Sequence, residues 1–355
     1  MDWEDRVTLV TGHTGFKGSW LSIYLSFLGA EVHGFALDPE SDPNLFRLAA
    51  VDEFLSTDSR SDINDFETFQ NCIEEIRPRV VFHLAAQSLV EEGYENPTET
   101  WATNVLGTVK VLEACRLSES VEAVVVVTTD KVYKPVYYES GFVESDRLGG
   151  IDPYSASKSA TELVVSSYQK SFPVNALSKK LNYSTVRAGN VIGGGDWSPN
   201  RLLPDCVRAV ISGTPIELRN PHHIRPWQHV LDPLSGYISL ADKMCQTEGS
   251  EFASSWNFGP NQTSIVTVRE IVSMFCKTWN SEIEILDNSQ TSKYLETEIL
   301  KLDSSKATQF LNWKPKWDLE KSVSMTIDWY KALEAGEEMS TVCLNQVSDF
   351  QISKD

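Results

Sequence analysis

The chain has 355 residues, 41% of them hydrophobic and 23% charged, with 50 acidic against 31 basic side chains and a net charge of −19. That length allows a large core in one or two domains, and the acidic balance argues against DNA, RNA or an anionic membrane as a partner. A small anionic ligand is still compatible with it, because a local cluster of arginines can hold one inside an acidic protein.

The first apolar run, Val7–Val10, predicts a strand that opens into "TGHTGFKG" and then a helix over Gly18–Leu28. Gly12, Gly15 and Gly18 therefore lie between a strand and a helix. Glycines there let the backbone turn tightly and approach a pyrophosphate seated on the helix N-terminus. His13, Thr14, Phe16 and Lys17 are expected in the same dinucleotide turn. The second strand, Glu31–Leu37, runs into Asp38, the candidate carboxylate for an adenine ribose, with Asp62 and Ile63 expected at the adenine edge. No arginine adjoins Asp38 in the sequence to welcome a 2′-phosphate, which favours NAD over NADP.

Further strands are predicted over Val80–Leu84, Val121–Thr128 and Tyr183–Arg187, and helices over Thr98–Leu117 and Ser155–Phe172. Continuous Val-rich runs indicate strands buried on both faces, hence a parallel sheet covered by helices. The expected fold is α/β, a Rossmann-type doubly wound parallel sheet with a smaller α/β substrate-binding domain. Leu84, Ala85, Ala86, Gln87, Asn104, Thr128 and Arg187 are the further candidates to face the cofactor. After about Ala188, loops rich in Gly, Pro and Asn take over. Residues 1–188 are read as the NAD-binding domain, with about 226–260 returning to it. Residues 189–340 are read mostly as the substrate domain, and 341–355 as a polar, loosely held tail.

Six cysteines are spread along the chain with no C-x-x-C pair, which predicts free thiols in a reduced, cytoplasmic setting. The N-terminus lacks the pattern of a signal peptide, and no apolar run is long enough for a membrane helix. His222 and His223 are adjacent and no H-E-x-x-H occurs, so no metal site is expected.

In "TTDKVY", Asp130 and Lys131 set a carboxylate and an amine side by side where a buried strand stops. In "YSASK", Tyr154 and Lys158 are four residues apart, on one face of a helix turn. A tyrosine is a base near neutral pH only if its pKa falls by several units from about 10, which a neighbouring ammonium favours. "RNPHHIRPWQHV" offers Arg219 and Arg225 for phosphate and Trp227 for stacking on a base. Arg208 reads as a helix surface charge.

Together these residues resemble the extended short-chain dehydrogenase/reductase (NAD-dependent epimerase/dehydratase) superfamily. "GHTGFKG", "GNVIGGGDW" and "NPHHIRPWQHV" are similar to its CDP-glucose 4,6-dehydratase branch, and the resemblance runs over nearly the whole chain. It implies Thr129, Asp130, Lys131, Tyr154 and Lys158 as catalytic residues, and Gln87, Asn190, Arg201, Leu202, Arg219, Arg225 and Trp227 as substrate-binding ones. It also implies an NAD that is reduced and reoxidised without leaving. Tyr154, helped by Thr129 and Lys158, would take the proton of the sugar's 4-hydroxyl while hydride leaves carbon 4. Lys131 would take the proton on carbon 5, and Asp130 would protonate the departing 6-hydroxyl. Epimerases of the superfamily carry small neutral residues at these two positions.

Two departures concern the sugar site: Glu91–Glu92 and Val143 stand where the branch carries arginines. A 4,6-dehydratase or 4-epimerase of another nucleotide sugar therefore stays open. An idle NAD-binding regulator would not need Thr129, Tyr154 and Lys158 together. The helices Thr98–Leu117 and Ser155–Phe172 have long apolar faces, and with the resemblance they imply a homodimer or a dimer of dimers.

Overall fold

The computed structural model describes residues 3–136, 140–172, 181–246, 248–288 and 299–353. The strands of the first half are β1 (Val7–Thr11), β2 (Glu31–Ala36), β3 (Thr57–Arg60), β4 (Val80–His83), β5 (Ala123–Val127) and β6 (Asn182–Ala188). The second half adds β7 (Asn190–Ile192), β8 (Ile216–Leu218), β9 (Ile224–His229), β10 (Ser255–Phe258), β11 (Ile265–Thr267) and β12 (Ile285–Asp287). Among the described residues, one seven-stranded sheet has the order β10–β6–β5–β4–β1–β2–β3. Every neighbouring pair in it is parallel.

This is the expected doubly wound sheet, and the order reverses between β1 and β4. Ligands of such sheets bind outside the carboxyl ends of the strands at that switch point. Alternate residues of each central strand enter two different cores. Leu9, Val81, Val124 and Val126 pack with Phe35, Phe69 and Leu112 on one face. Val10, Phe82, Val125 and Val127 pack with Trp20 and Leu234 on the other. Each fully buried side chain of this size stabilises the fold by roughly 1.5–3 kcal/mol relative to exposure.

Two expectations are corrected. The helix expected over Thr98–Leu117 is broken into Pro97–Trp101, a wider π-helical turn over Ala102–Gly107, and Thr108–Leu117. The wide turn frees the Asn104 carbonyl to accept from the hydroxyls of Thr108 (2.7 Å) and Thr161 (2.8 Å). The segment expected as a loose tail is a helix, Met339–Ile352. Its Met339, Cys343, Val347 and Phe350 recur at helical spacing and are buried in the larger core. The Lys316 ammonium reaches the carbonyls of Phe350 and Gln351 at 3.4 Å and of Ser353 at 3.3 Å, satisfying the open end of that helix.

Beyond β6 the chain builds two small sheets, β11–β9–β7 and β12–β8, facing the carboxyl edge of the main sheet across a cavity. Among the described residues no helix is long and apolar enough to cross a membrane.

Candidate active site

The turn after β1 is shaped by close backbone approach. Gly12 has φ +73°, and a Cβ there would meet the Ala85 nitrogen at 2.6 Å, in the loop that carries Leu84–Ala86 out of β4. A Cβ on Gly18 would sit 2.1 Å from the Gly12 carbonyl oxygen. Gly15 starts the Phe16–Phe27 helix, and a Cβ there would meet only that same oxygen, at 3.4 Å. Bare backbone at a helix N-terminus is what a dinucleotide pyrophosphate requires, so these residues fit the expected cofactor.

Their neighbours divide into facing and supporting groups. The Thr14 hydroxyl donates to the Leu37 carbonyl at 2.9 Å and ties the turn to the end of β2. The His13 ring is fully buried against Asp58 at 2.8 Å, and burial pulls its pKa below the usual value. Only the backbone of His13 is left for a ligand. Asp38 is exposed, and Arg60 of β3 stands 3.8 Å from it. The sequence reading that no arginine adjoins Asp38 is thus corrected in space. That guanidinium is already held by Asp58 at 2.7 Å and lies over the Phe46 ring. Asp62 accepts from the Asn64 amide, shaping its own loop. Ile63 is buried, and a Cβ on Gly107 would meet it at 2.9 Å, so it belongs to the core. Asn104 and Gln87 bind each other through backbone and amide, and Asn104 also donates to Ser157 at 2.9 Å.

The turn that carries the candidate catalytic residues Thr129, Asp130 and Lys131 follows β5. The Thr129 hydroxyl donates to Asp130 at 3.1 Å and accepts from the Lys131 amide at 3.3 Å, capping a short helical turn that holds acid and amine together. Asp130 is 3% exposed. Burial raises its pKa, against the opposing pull of Lys131, Thr129, Arg225 and Lys17. A raised carboxyl is what a proton donor needs. The Pro153–Ser171 helix presents Tyr154 and Lys158, with Asp152 and Ser155 forming a capping box at its start. Burial pushes the Tyr154 phenol up to about 12, while the Thr129 hydroxyl and the Arg201 guanidinium pull it down. The ammonium expected to lower it, Lys158, instead donates to the Val127 carbonyl at 3.0 Å. Burial, reinforced by the nearby Lys17, brings the Lys158 amine down to about 8.

A cavity of about 1200 Å³ joins these groups to the second half of the chain. Asn190, Arg201, Leu202, Arg219, Arg225 and Trp227 all line it, together with Lys17, Thr129, Asp130, Lys131 and Tyr154. Arg201 is paired with Asp196 at 3.0 Å, and Arg219 has, among the described residues, a single long hydrogen bond with Asn200 at 3.4 Å. The Trp227 indole is buried, and its nitrogen has no partner among the described residues. Lys17 lies among charged groups here: burial, with Arg201 adding to it, lowers its amine to about 8, opposed by Asp130 and Asp196. Arg208 lines the same wall rather than plain surface, tied to Asp205 and to the Trp197 carbonyl. Glu91 lines the mouth and accepts from Asn200. Val143 does not line it.

Two cofactor candidates change role. Arg187 is 2% exposed and forms an ion pair with Glu162 at 2.7 Å, so it cannot reach a ligand. The Thr128 hydroxyl also turns to Glu162, at 2.5 Å. Glu162, Tyr133 and Asn257 were not singled out from the sequence. For Glu162 a signal existed, since it falls four residues beyond Lys158 on the same helical face.

The chain matches the model of the GDP-mannose 4,6 dehydratase family over residues 9–326. It is 43% identical to the CDP-glucose 4,6-dehydratase of Salmonella typhimurium over 350 residues, covering 98% of this chain and 97% of that one. The fold superposes on the UDP-glucose 4-epimerase of Thermotoga maritima with a TM-score of 0.78, at 21% identity, over 92% of this chain and 99% of the other. It also superposes on MoeE5, solved with UDP-glucuronic acid and NAD, with a TM-score of 0.76 at 25% identity and the same coverage, 92% and 99%.

Proposed function

The chain belongs to the GDP-mannose 4,6-dehydratase family, and from that premise we propose that it converts CDP-glucose into CDP-4-keto-6-deoxyglucose and water with bound NAD. The observation that carries this reading is the buried Asp130 beside Lys131, opening on the same cavity as Tyr154. An epimerase or a simple dehydrogenase has no use for a second acid–base pair there.

NAD, when bound, supplies the hydride acceptor for carbon 4, the donor for carbon 6, and a positive charge that favours phenolate. Tyr154 takes the proton of the 4-hydroxyl. The ketone acidifies the hydrogen on carbon 5, which Lys131 removes. Asp130, whose carboxyl burial raises above its ordinary pKa, gives a proton to the 6-hydroxyl, which leaves as water. Lys131 then returns a proton to carbon 5. Each cycle leaves Tyr154 one proton richer and Asp130 one poorer, and the Thr129 hydroxyl, 3.1 Å from Asp130, stands where that proton can cross. Arg219, Arg225 and Arg201 hold the diphosphate, and Trp227 stacks on the base.

Two copies pair through the outer sides of the helices around Trp101, Leu106 and Leu163, large apolar side chains that are 41%, 57% and 65% exposed. Light scattering that gives a stable monomer would remove this pairing. A cytoplasmic setting is supported by six free, buried cysteines. The substrate is tested by incubating the protein with CDP-, UDP-, dTDP- and GDP-glucose and following the alkaline absorbance of 4-keto-6-deoxy sugars. CDP-glucose should give the largest kcat/KM. The carboxylate of Glu91 at the cavity mouth favours one rival, the same reaction on a different nucleotide-glucose, and a preference for another member of the panel would establish it.

A further inference from the structure

We propose that Glu162 is a positioning residue: through Arg187 it holds the Asp130–Lys131 pair in register with Tyr154 and Lys158. The proposal rests on the dehydratase reading above. The catalytic turn spans Thr129, Asp130 and Lys131, and it is gripped on both sides by one ion pair. On the near side, the Thr128 hydroxyl donates to Glu162 Oε1 at 2.5 Å. On the far side, the Tyr133 hydroxyl accepts from Arg187 Nη1 at 2.7 Å and donates to Asn257 at 2.7 Å. Arg187 closes the circuit through Nε to Glu162 Oε1 at 2.8 Å and Nη2 to Oε2 at 2.7 Å. The hydroxyls of Thr185 and Ser255 also donate to Oε2, at 2.6 and 3.2 Å.

Glu162 sits on the helix that presents Tyr154 and Lys158, so both catalytic pairs share a single anchor. Rotating the helix or shifting the turn would strain bonds of a pair whose side chains are each 2% exposed. Such a pair contributes little net stability compared with apolar residues of the same size, because both charges were taken out of water. What it provides is direction: charge-assisted, forked bonds tolerate little angular error. Proton transfer at carbon 5 and carbon 6 needs that tolerance to be small.

Tyr133→Phe removes only the hydroxyl, and the ring keeps its stack on Phe142 at 4.6 Å. The melting temperature and KM for CDP-glucose should stay close to the parent's. Keto-sugar formation should fall about tenfold, within the range that small misplacements cost, and deuterium exchange at carbon 5 should fall with it. Oxidation at carbon 4, read from nicotinamide absorbance, should persist. Thr128→Val should behave alike, and Thr128→Ser should restore the parent rate. The decisive measurement is a cycle with Lys131→Met. If Tyr133 acts by placing Lys131, the double variant is no slower than Lys131→Met alone. Multiplicative losses, or equal losses in every step with a lowered melting temperature, would overturn the positioning role. A parent protein that forms no keto sugar overturns the dehydratase reading and this proposal together. An active parent matched by a fully active Tyr133→Phe overturns this proposal only.

Discussion

Beneath the catalytic turn, Arg187 is 2% exposed and each of its guanidinium nitrogens meets an acceptor on Glu162, Tyr133 or Glu144. In the cavity wall, Arg219 has, among the described residues, one long hydrogen bond and otherwise faces the space where an anion would lie. In the sequence the two look alike, each an arginine that closes a short strand-like stretch, STVR and IELR. The difference is whether the donors are already used. A guanidinium whose hydrogen bonds are filled is a fixed part of the floor; one with spare N–H groups on a cavity is a binding group.

The largest effect is expected where that contrast is broken at the floor. Arg187→Met leaves the buried Glu162 carboxylate without its cation, which should cost about 3–5 kcal/mol of unfolding free energy. Urea denaturation measures this, and Arg219→Gln should leave the same curve unmoved. Next comes the turn between floor and wall. Lys131→Met should slow keto-sugar formation by roughly 10²-fold and suppress carbon 5 exchange equally, with the fold intact. Asp130→Asn should slow product formation while exchange continues, because only protonation of the leaving hydroxyl is lost. If Lys131→Met raised KM alone, Lys131 would be a phosphate contact and not the base.

In the wall, Arg219→Gln should raise KM for CDP-glucose by about tenfold with kcat nearly constant, the pattern of lost uniform binding. A drop in kcat at unchanged KM would count against a diphosphate contact. The smallest effect is electrostatic. Arg201 is one of the groups that lower the Tyr154 phenol. Removing that charge lets the phenol rise, so the rising limb of kcat/KM against pH should move to higher pH in Arg201→Gln. Arg187 spends its guanidinium on Glu162, Tyr133 and Glu144, so the limb should stay in place in Arg187→Lys whatever its stability.

Much of the fold could be read from residues alone, because the strands at the sheet's centre are Val-rich runs buried on both faces. β3 could not: its sequence, TDSR, is polar and mostly exposed, and it is a strand only because β2 offers it a ladder. Arg60, at its end, was hidden with it. Asp130, Lys131 and Tyr154 stand out in the sequence by their spacing, and the fold brings them to one cavity. Arg187 was misjudged because residue type gives no account of what a side chain faces, and Glu162 was missed because its partners lie on β5 and β6. The broken helix around Asn104 turns on two hydroxyls that no local pattern reveals.

The helix Met339–Ile352 lies against the Phe16–Phe27 helix, where Phe350 packs on Tyr24 and Gln351 donates to the Tyr24 hydroxyl across 327 residues of chain. At a synthesis rate of roughly 5–20 residues per second, the dinucleotide turn leaves the ribosome on the order of half a minute before the helix that backs it. Until then Tyr24 lacks the Phe350 ring that covers it. Docking of residues 339–352 therefore completes the core behind the Phe16–Phe27 helix only after the other described segments have been made.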